Sequence, residues 1–342
     1  MTFLSDRCRP KRLLRAPLAA LAALAASAAL LVACGGGTSQ VQAFKPDRLL
    51  VFGDEASVIV NGRKYSINDE TAVVSATVAW CQALPTVAQS MANLYGFAFQ
   101  ECNPAAATPK AFILARVDAR VDDPALGLAR QIAAVSGGLG STDLAMVMIG
   151  ANDVIALWEQ VRGGGMTNNQ AVAEAQRLGG VAAAQVNALL ETGARAVVVT
   201  IPDMGLSPYA IAQEAASPGA VALISSLSYQ YNAYLRTRID ATAYDGRNYG
   251  LVLADDIVSA MVRLPAAYLG APSVANVAAC TTSSAKDCRT YLDPSDSTVT
   301  LNTLVSGATT SSHLWADDRH LGPSAHSRIA QSAQARALNN PF

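Results

Sequence analysis

Four short apolar runs, each cut off by Gly, Pro or Asp, set the tightest limit on what this chain can fold into. They cover residues 49–52 before Gly53, 144–149 before Gly150, 196–201 before Pro202, and 251–253 just ahead of Asp255. Strands with no polar face must be covered on both sides, as in a parallel sheet layered between helices. Helical patterns lie between and after them. One covers 168–192, with Thr167 as N-cap and Gly193 as stop; another covers 221–239, with Leu223, Leu227, Tyr231, Tyr234 and Leu235 at helical spacing; a third covers 325–338. This alternation predicts a three-layer α/β/α sandwich around a doubly wound, mainly parallel sheet. No fixed-period repeat or linker follows residue 47, so residues 48–342 are read as one domain. Ligands of open parallel sheets bind beyond the carboxyl ends of the strands. That directs attention to Gly53-Asp54-Glu55, Gly150-Ala151-Asn152-Asp153, Pro202-Asp203 and Asp255.

The first 33 residues stand apart from the fold. Arg7, Arg9, Lys11, Arg12 and Arg15 make a basic head, and an Ala/Leu-rich run over 16–33 ends in Leu31-Val32-Ala33-Cys34 followed by three glycines. A positive head and a short apolar run read as an export signal. The run also approaches the length of a spanning helix, but the small residues at its end and the glycines after Cys34 favour cleavage. Residues 34–47, rich in Gly, Ser, Thr and Gln, are read as a flexible tether. Without the five basic residues and Asp6 of the export segment, the chain's 25 basic and 26 acidic residues become 20 and 25, a net charge of −5. Nothing in that balance supplies the clustered basic face that a nucleic-acid partner needs.

Cys8 falls in the export segment and Cys34 at its end, leaving Cys81, Cys102, Cys280 and Cys288. An even number in an exported chain points to disulfides. Of the three connectivities, the pairs nearest in sequence, Cys81–Cys102 and Cys280–Cys288, are preferred. A zinc site is the rival reading, but no Cys-x-x-Cys spacing is present and the histidines lie elsewhere. No metal or cofactor is expected.

The chain has three histidines, His313, His320 and His326, all within 14 residues near the C-terminus. An imidazole base must come from this segment. Asp317 stands three residues before His320, so on one turn its carboxylate can accept the Nδ1 proton and fix the tautomer, the orienting role of an acid in a catalytic triad. The alternative is an exposed polar loop with no such role. His326, at the start of the last helix, reads as structural, and His313 has no obvious partner. Asn152 on a strand-end loop can donate its amide to a developing oxyanion; Asn and Asp are equally common turn formers. Ser136-Gly137-Gly138-Leu139-Gly140 precedes a strand instead of following one, which excludes a dinucleotide fingerprint, and Gly163-Gly164-Gly165 reads as a helix stop.

Together these blocks resemble the GDSL, or SGNH, hydrolase family. Val51-Phe52-Gly53-Asp54 is similar to the start of its first block, Ile149-Gly150-Ala151-Asn152-Asp153 to its Gly-x-Asn-Asp block, and Asp317-Asp318-Arg319-His320 with Pro323 and His326 to its terminal Asp-x-x-His block. Gly193-Ala194-Arg195 and Ile201-Pro202-Asp203-Met204-Gly205-Leu206-Ser207-Pro208 also match, in family order. The resemblance implies a flavodoxin-like α/β/α fold and metal-free cleavage of acyl or acetyl esters of lipids, glycans or small molecules by a Ser–His–Asp triad. It implies His320 as general base, Asp317 as its orienter and Asn152 as oxyanion donor, with Gly53, Asp54, Gly150 and Asp153 at the substrate site. Leu31-Val32-Ala33-Cys34 resembles the lipobox of bacterial lipoproteins, which implies acylation of Cys34 and a lipid-anchored place in the cell envelope, at the outer membrane. Two or more acyl chains hold a protein on a bilayer durably.

Two departures qualify the resemblance. The nucleophile position holds Glu55. A carboxylate is already ionised at neutral pH, so a His cannot activate it as it does a hydroxyl, and its charge opposes the oxyanion. Ser57, two residues on, falls about 200° round a helical turn from that position and is a poor substitute. The second block, Gly-Gly-Ala-Arg in the family, is best matched by Ile113-Leu114-Ala115-Arg116, without its glycines. Three readings follow: an ester hydrolase with a rearranged site, in which Glu55 and His320 position a water or Ser57 substitutes; a silent relative that binds an acyl or carbohydrate ligand; and a structural envelope protein.

Overall fold

A computed structural model describes residues 44–71, 79–103, 105 and 108–338. The export segment, Cys34 and the tether up to residue 43 lie outside the described residues. The central sheet has five parallel strands: β1 (Arg48–Gly53), β2 (Ala111–Ile113), β3 (Asp143–Met148), β4 (Arg195–Val199) and β5 (Tyr249–Val252), in spatial order β2-β1-β3-β4-β5. Alternate residues face opposite sides. Leu50, Phe52, Ala145, Val147, Ala196 and Val198 enter one core, while Leu49, Val51, Leu144, Met146, Val197 and Val199 enter the other. The runs are continuously apolar because both of these faces are covered.

Helices α2 (Ala151–Arg162), α3 (Asn168–Glu191) and α4 (Ala220–Arg238) cover the first face; α1 (Val87–Leu94), α5 (Ala254–Arg263) and α6 (Pro323–Leu338) cover the second. The expected α/β/α sandwich is therefore the observed one. Thr167 caps α3 through a reciprocal box with Gln170: Thr167 Oγ1 accepts Gln170 N–H at 3.3 Å, and Gln170 Oε1 accepts Thr167 N–H at 2.9 Å.

The boundaries differ in informative ways. The third run, expected to reach residue 201, leaves the sheet after Val199. Asn232 of α4 then takes both polar groups of Ile201, accepting its N–H at 3.1 Å and donating to its carbonyl at 2.8 Å. Strand β2 was not anticipated; it is three residues long, at the sheet edge, with Phe112 partly exposed.

Two further segments reach the strand ends. Strand Asn68–Glu70 pairs in parallel with Arg289–Leu292, which pairs antiparallel with Thr300–Asn302, and His313–Trp315 pairs with Val274–Ala278. Both preferred disulfides are present, Cys81–Cys102 and Cys280–Cys288, with Cα separations of 5.4 and 5.6 Å. Cys81 also fixes its surroundings through its carbonyl, which accepts from Gln89 Nε2 at 2.7 Å and from the fully buried Lys64 Nζ at 3.2 Å. Among the described residues no group of three or more His, Cys, Asp or Glu is placed to hold a metal, and no helix is long and apolar enough to cross a membrane.

Helices α3 and α4 approach closely at Gly179, where an added Cβ would lie 2.2 Å from the backbone oxygen of Tyr231 in α4. Backbone cannot yield as a flexible side chain can, so one methyl group must push the two helices apart. Gly179→Ala is expected to lower unfolding free energy by about 1–3 kcal/mol despite Ala's better helix propensity. Urea denaturation measures this; an unchanged or raised midpoint would contradict the packing argument.

Candidate active site

The site lies where β1 and β3 end side by side, the crevice at which the strand order reverses. Both strands turn on glycines that cannot be replaced. A Cβ on Gly53 (φ +145°) would sit 1.9 Å from the Met148 oxygen, and one on Gly150 (φ +125°) would sit 2.3 Å from the Tyr231 ring. Gln131, buried in the helix Leu128–Ala133, locks the first turn from beneath: its Oε1 accepts Gly53 N–H at 2.7 Å and its Nε2 donates to the Gly53 carbonyl at 2.8 Å. Tyr231 O–H donates to the Ile149 carbonyl at 2.8 Å and steadies the second.

Asp54 caps the single turn Glu55–Ser57, its Oδ1 accepting Ala56 N–H at 3.2 Å. Its Oδ2 is buried without a hydrogen-bond partner among the described residues. Burial, reinforced by the adjacent Glu55 charge, pushes the Asp54 carboxyl up to about 7.

Glu55 is 6 % exposed and engages two donors: its Oε1 accepts the Asp118 backbone N–H at 2.5 Å and its Oε2 accepts Asn152 Nδ2–H at 2.7 Å. Asn152 also donates to the Ala119 carbonyl at 3.2 Å. It stands in the first turn of helix α2 and not on a loop, because Gly150 already serves as N-cap.

His320 is held by Asp317 as the spacing predicts. Its Nδ1 lies 2.9 and 3.0 Å from the two carboxylate oxygens. The tight hairpin that closes when Ala316 N–H donates to the His320 carbonyl at 2.8 Å keeps them together. Asp317 also accepts the backbone N–H groups of His320 at 2.7 Å, Arg319 at 3.0 Å and Ala285 at 2.8 Å. Burial alone would raise Asp317, but the bond and charge of His320 with these N–H groups hold it below the usual carboxylate range. Burial likewise opposes charge on His320, and Asp317, Glu55 and Asp54 outweigh it, raising its pKa. No hydrogen bond joins Glu55 to His320 among the described residues: the carboxylate turns toward Asp118 and Asn152 instead.

The first and last blocks and Asn152 therefore converge. Glu55, Asn152, Tyr65, Arg319 and His320 line two adjoining cavities. One continues between Met148, Ile155, Ile201, Met204 and Leu321 and is mainly apolar, with Asp54 also in its wall. The other opens past Asp118, Ser283, Ser284 and Asp318 and is polar.

Other expected site residues lie elsewhere. Asp153 is buried, both its oxygens accept Val121 N–H at 3.1 Å, and it borders neither cavity. Ser57 is 1 % exposed, its Oγ has no hydrogen-bond partner among the described residues, and it too borders neither cavity. His326 is in the first turns of α6 and buried, with its pKa lowered by burial to about 4, and His313 is bonded to Ser312. The N–H of Ala115, in the second block, is spent on the Val51 carbonyl; the donor aimed at residue 55 is Asp118, at φ +58°.

Sequence reasoning missed Asp118, Tyr65 and the part played by Arg319. Tyr65 is carried by a turn that the fully buried Asn68 closes, accepting Lys64 N–H at 2.9 Å and donating to the Lys64 carbonyl at 3.0 Å. This sets the Tyr65 ring 5.3 Å from the His320 ring. Arg319 pairs with Asp318 at 2.9 Å and lies over the Tyr209 ring.

A doubly wound sheet with a His–Asp pair facing an asparagine across the β1/β3 crevice defines a hydrolase-type α/β/α protein. The chain belongs to the GDSL-like lipase/acylhydrolase family, whose pattern matches residues 49–333. Solved structures similar to it include a phospholipase A1 from Streptomyces albidoflavus, at 12 % identity over 86 % of this chain and 98 % of that one, with a TM-score of 0.40. A catalytic mutant of an acetylxylan esterase from Geobacillus stearothermophilus is 14 % identical over 87 % and 96 %, with a TM-score of 0.42. An extracellular lipase from Streptomyces rimosus is 16 % identical over 62 % and 82 %, with a TM-score of 0.36. No curated protein matches the chain significantly.

The Asp54 environment yields a pH prediction. A carboxyl at about 7 in the fold and 3.8 when exposed binds its proton more tightly in the folded state. The stability this contributes is fully present below about 3.8 and is lost as pH rises through about 7. Asp54→Asn keeps the cap and removes the titration. Relative to wild type it should gain up to about 4 kcal/mol between acid and mildly alkaline conditions. A wild-type-minus-variant stability difference that is flat with pH would refute the assignment.

Proposed function

We propose that the protein is an envelope lipoprotein that uses the family cleft to bind an acyl-bearing lipid, glycan or small molecule, without turnover through an acyl-serine. The observation that carries this reading is the Glu55 carboxylate, which occupies both the Asp118 N–H and the Asn152 amide. An ester carbonyl would have to compete for these donors with a full negative charge, and charge-assisted bonds are about twice as strong as neutral ones. An oxyanion beside Glu55 would meet repulsion where acyl transfer needs stabilisation. Buried Ser57 supports the same conclusion, since it borders neither cavity.

A second reading, hydrolysis by a water that His320 deprotonates, is favoured by the intact Asp317–His320 pair. Hydrolysis of p-nitrophenyl acetate and butyrate separates the two. On the binding reading, wild type and His320→Ala hydrolyse at the same background rate and a fluorophosphonate labels neither. Glu55→Ser then raises kcat/KM by about a hundredfold or more, because the hydroxyl meets a ready His–Asp pair and freed donors. Wild-type hydrolysis that disappears in His320→Ala would instead favour the water mechanism.

The anchor has its own test. Cys34→Ser should move the protein from the membrane fraction to the soluble fraction and abolish incorporation of labelled fatty acid. Retention of both would rule out Cys34 as the lipidation site.

A further inference from the structure

The exchange of a hydroxyl for a carboxylate reverses what the centre of the site asks of a ligand. A Ser site offers donors to a carbonyl oxygen. Here the Asp118 and Asn152 donors are consumed, and what the cleft presents is an anion with lone pairs to spare. An ester answers this badly: it carries no proton, and its bridging oxygen would face Glu55 with its own lone pairs. A group with an N–H or O–H answers it well.

The two cavities narrow the choice. Glu55 stands at their junction, with Tyr65, Arg319 and His320. A bare amine or a plain polyol could pair with Glu55 but would leave the cavity of Met148, Ile155, Ile201, Met204 and Leu321 empty of apolar contact. An amide satisfies both demands, since its N–H points to Glu55 while its acyl group runs into the apolar cavity. Its carbonyl then finds donors at the same junction, in the Arg319 guanidinium and the Tyr65 hydroxyl. On the other side, Asp118, Ser283, Ser284 and Asp318 offer hydroxyl partners around the half-buried Tyr65 ring, a lining suited to a sugar.

We infer that the ligand is an N-acylated sugar, bound by its amide N–H to Glu55, with its acyl group in the apolar cavity and its hydroxyls in the polar one. This rests on the binding reading above and names the ligand class for that same cleft.

The test titrates the full-length protein calorimetrically with three methyl glycosides: of N-acetylglucosamine, of glucosamine and of 2-O-acetylglucose. One hydrogen bond to a charged group separates the first from the last, so wild type should bind the N-acetyl compound about tenfold or more tightly than either other. Glu55→Ser, with Asp118 and Asn152 released, should prefer the O-acetyl compound. Glu55→Gln, close in shape, should lose the tenfold preference while circular dichroism stays native, which covers the case of a misfolded serine variant. Equal or tighter wild-type binding of the O-acetyl or free-amine glycoside would overturn the inference. So would the lack of saturable N-acetyl binding, or a preference unchanged in both variants. Ester hydrolysis by wild type sinks the non-turnover reading itself; an inert wild type without the amide preference sinks only the ligand class.

Discussion

Burial of both faces of one parallel sheet is the constraint on which the rest of this structure depends. It demands apolar side chains on every inward position of β1, β3 and β4, so polar chemistry is confined to where those strands stop. The stops are abrupt. Gly53 and Gly150 turn the chain within one residue because a side chain at either place would strike the neighbouring strand or Tyr231. The second residues past each glycine, Glu55 and Asn152, are thereby brought into a hydrogen bond of 2.7 Å. The rigidity of the site is borrowed from the sheet, with Gln131 tying the β1 turn to the layer below.

Against that scaffold, the C-terminal segment brings its own order. Asp317 gathers three backbone N–H groups and the His320 imidazole, so its charge is fully compensated although it is almost wholly buried. Asp54 is the reverse case, a buried carboxyl with one oxygen unanswered and an anion next door. The site therefore holds a well-supported carboxylate beneath His320 and an ill-supported one beside Glu55. Such contrast between neighbouring acids is what tunes groups apart within one cleft.

How much of this could be read from the chain depended on the range of the interaction. The sandwich was legible because continuous apolar runs and helical periodicity are local, and the cap at Thr167 likewise. The Asp317–His320 pair was legible because three residues span one turn. Glu55 stood out by its charge at a strand end. What escaped was set by distant partners. Strand β2 is too short to show a pattern, Asp118 becomes a donor through a local positive φ, and Tyr65 reaches His320 only because Asn68 folds its turn against the 286–288 segment. Asn152 was misread as a loop residue since Gly150 by itself starts the helix.

The loop between Cys280 and Cys288 has a consequence for how the centre comes together. Ala285, which gives Asp317 one of its N–H bonds, sits inside that nine-residue ring, and no regular strand or helix of length holds it there. The carboxylate that orients the imidazole is thus finished by a covalent staple. Reduction would remove that covalent tie and leave Ala285 to its own packing and to the bonds that Asn68 makes with the carbonyls of Lys286 and Cys288.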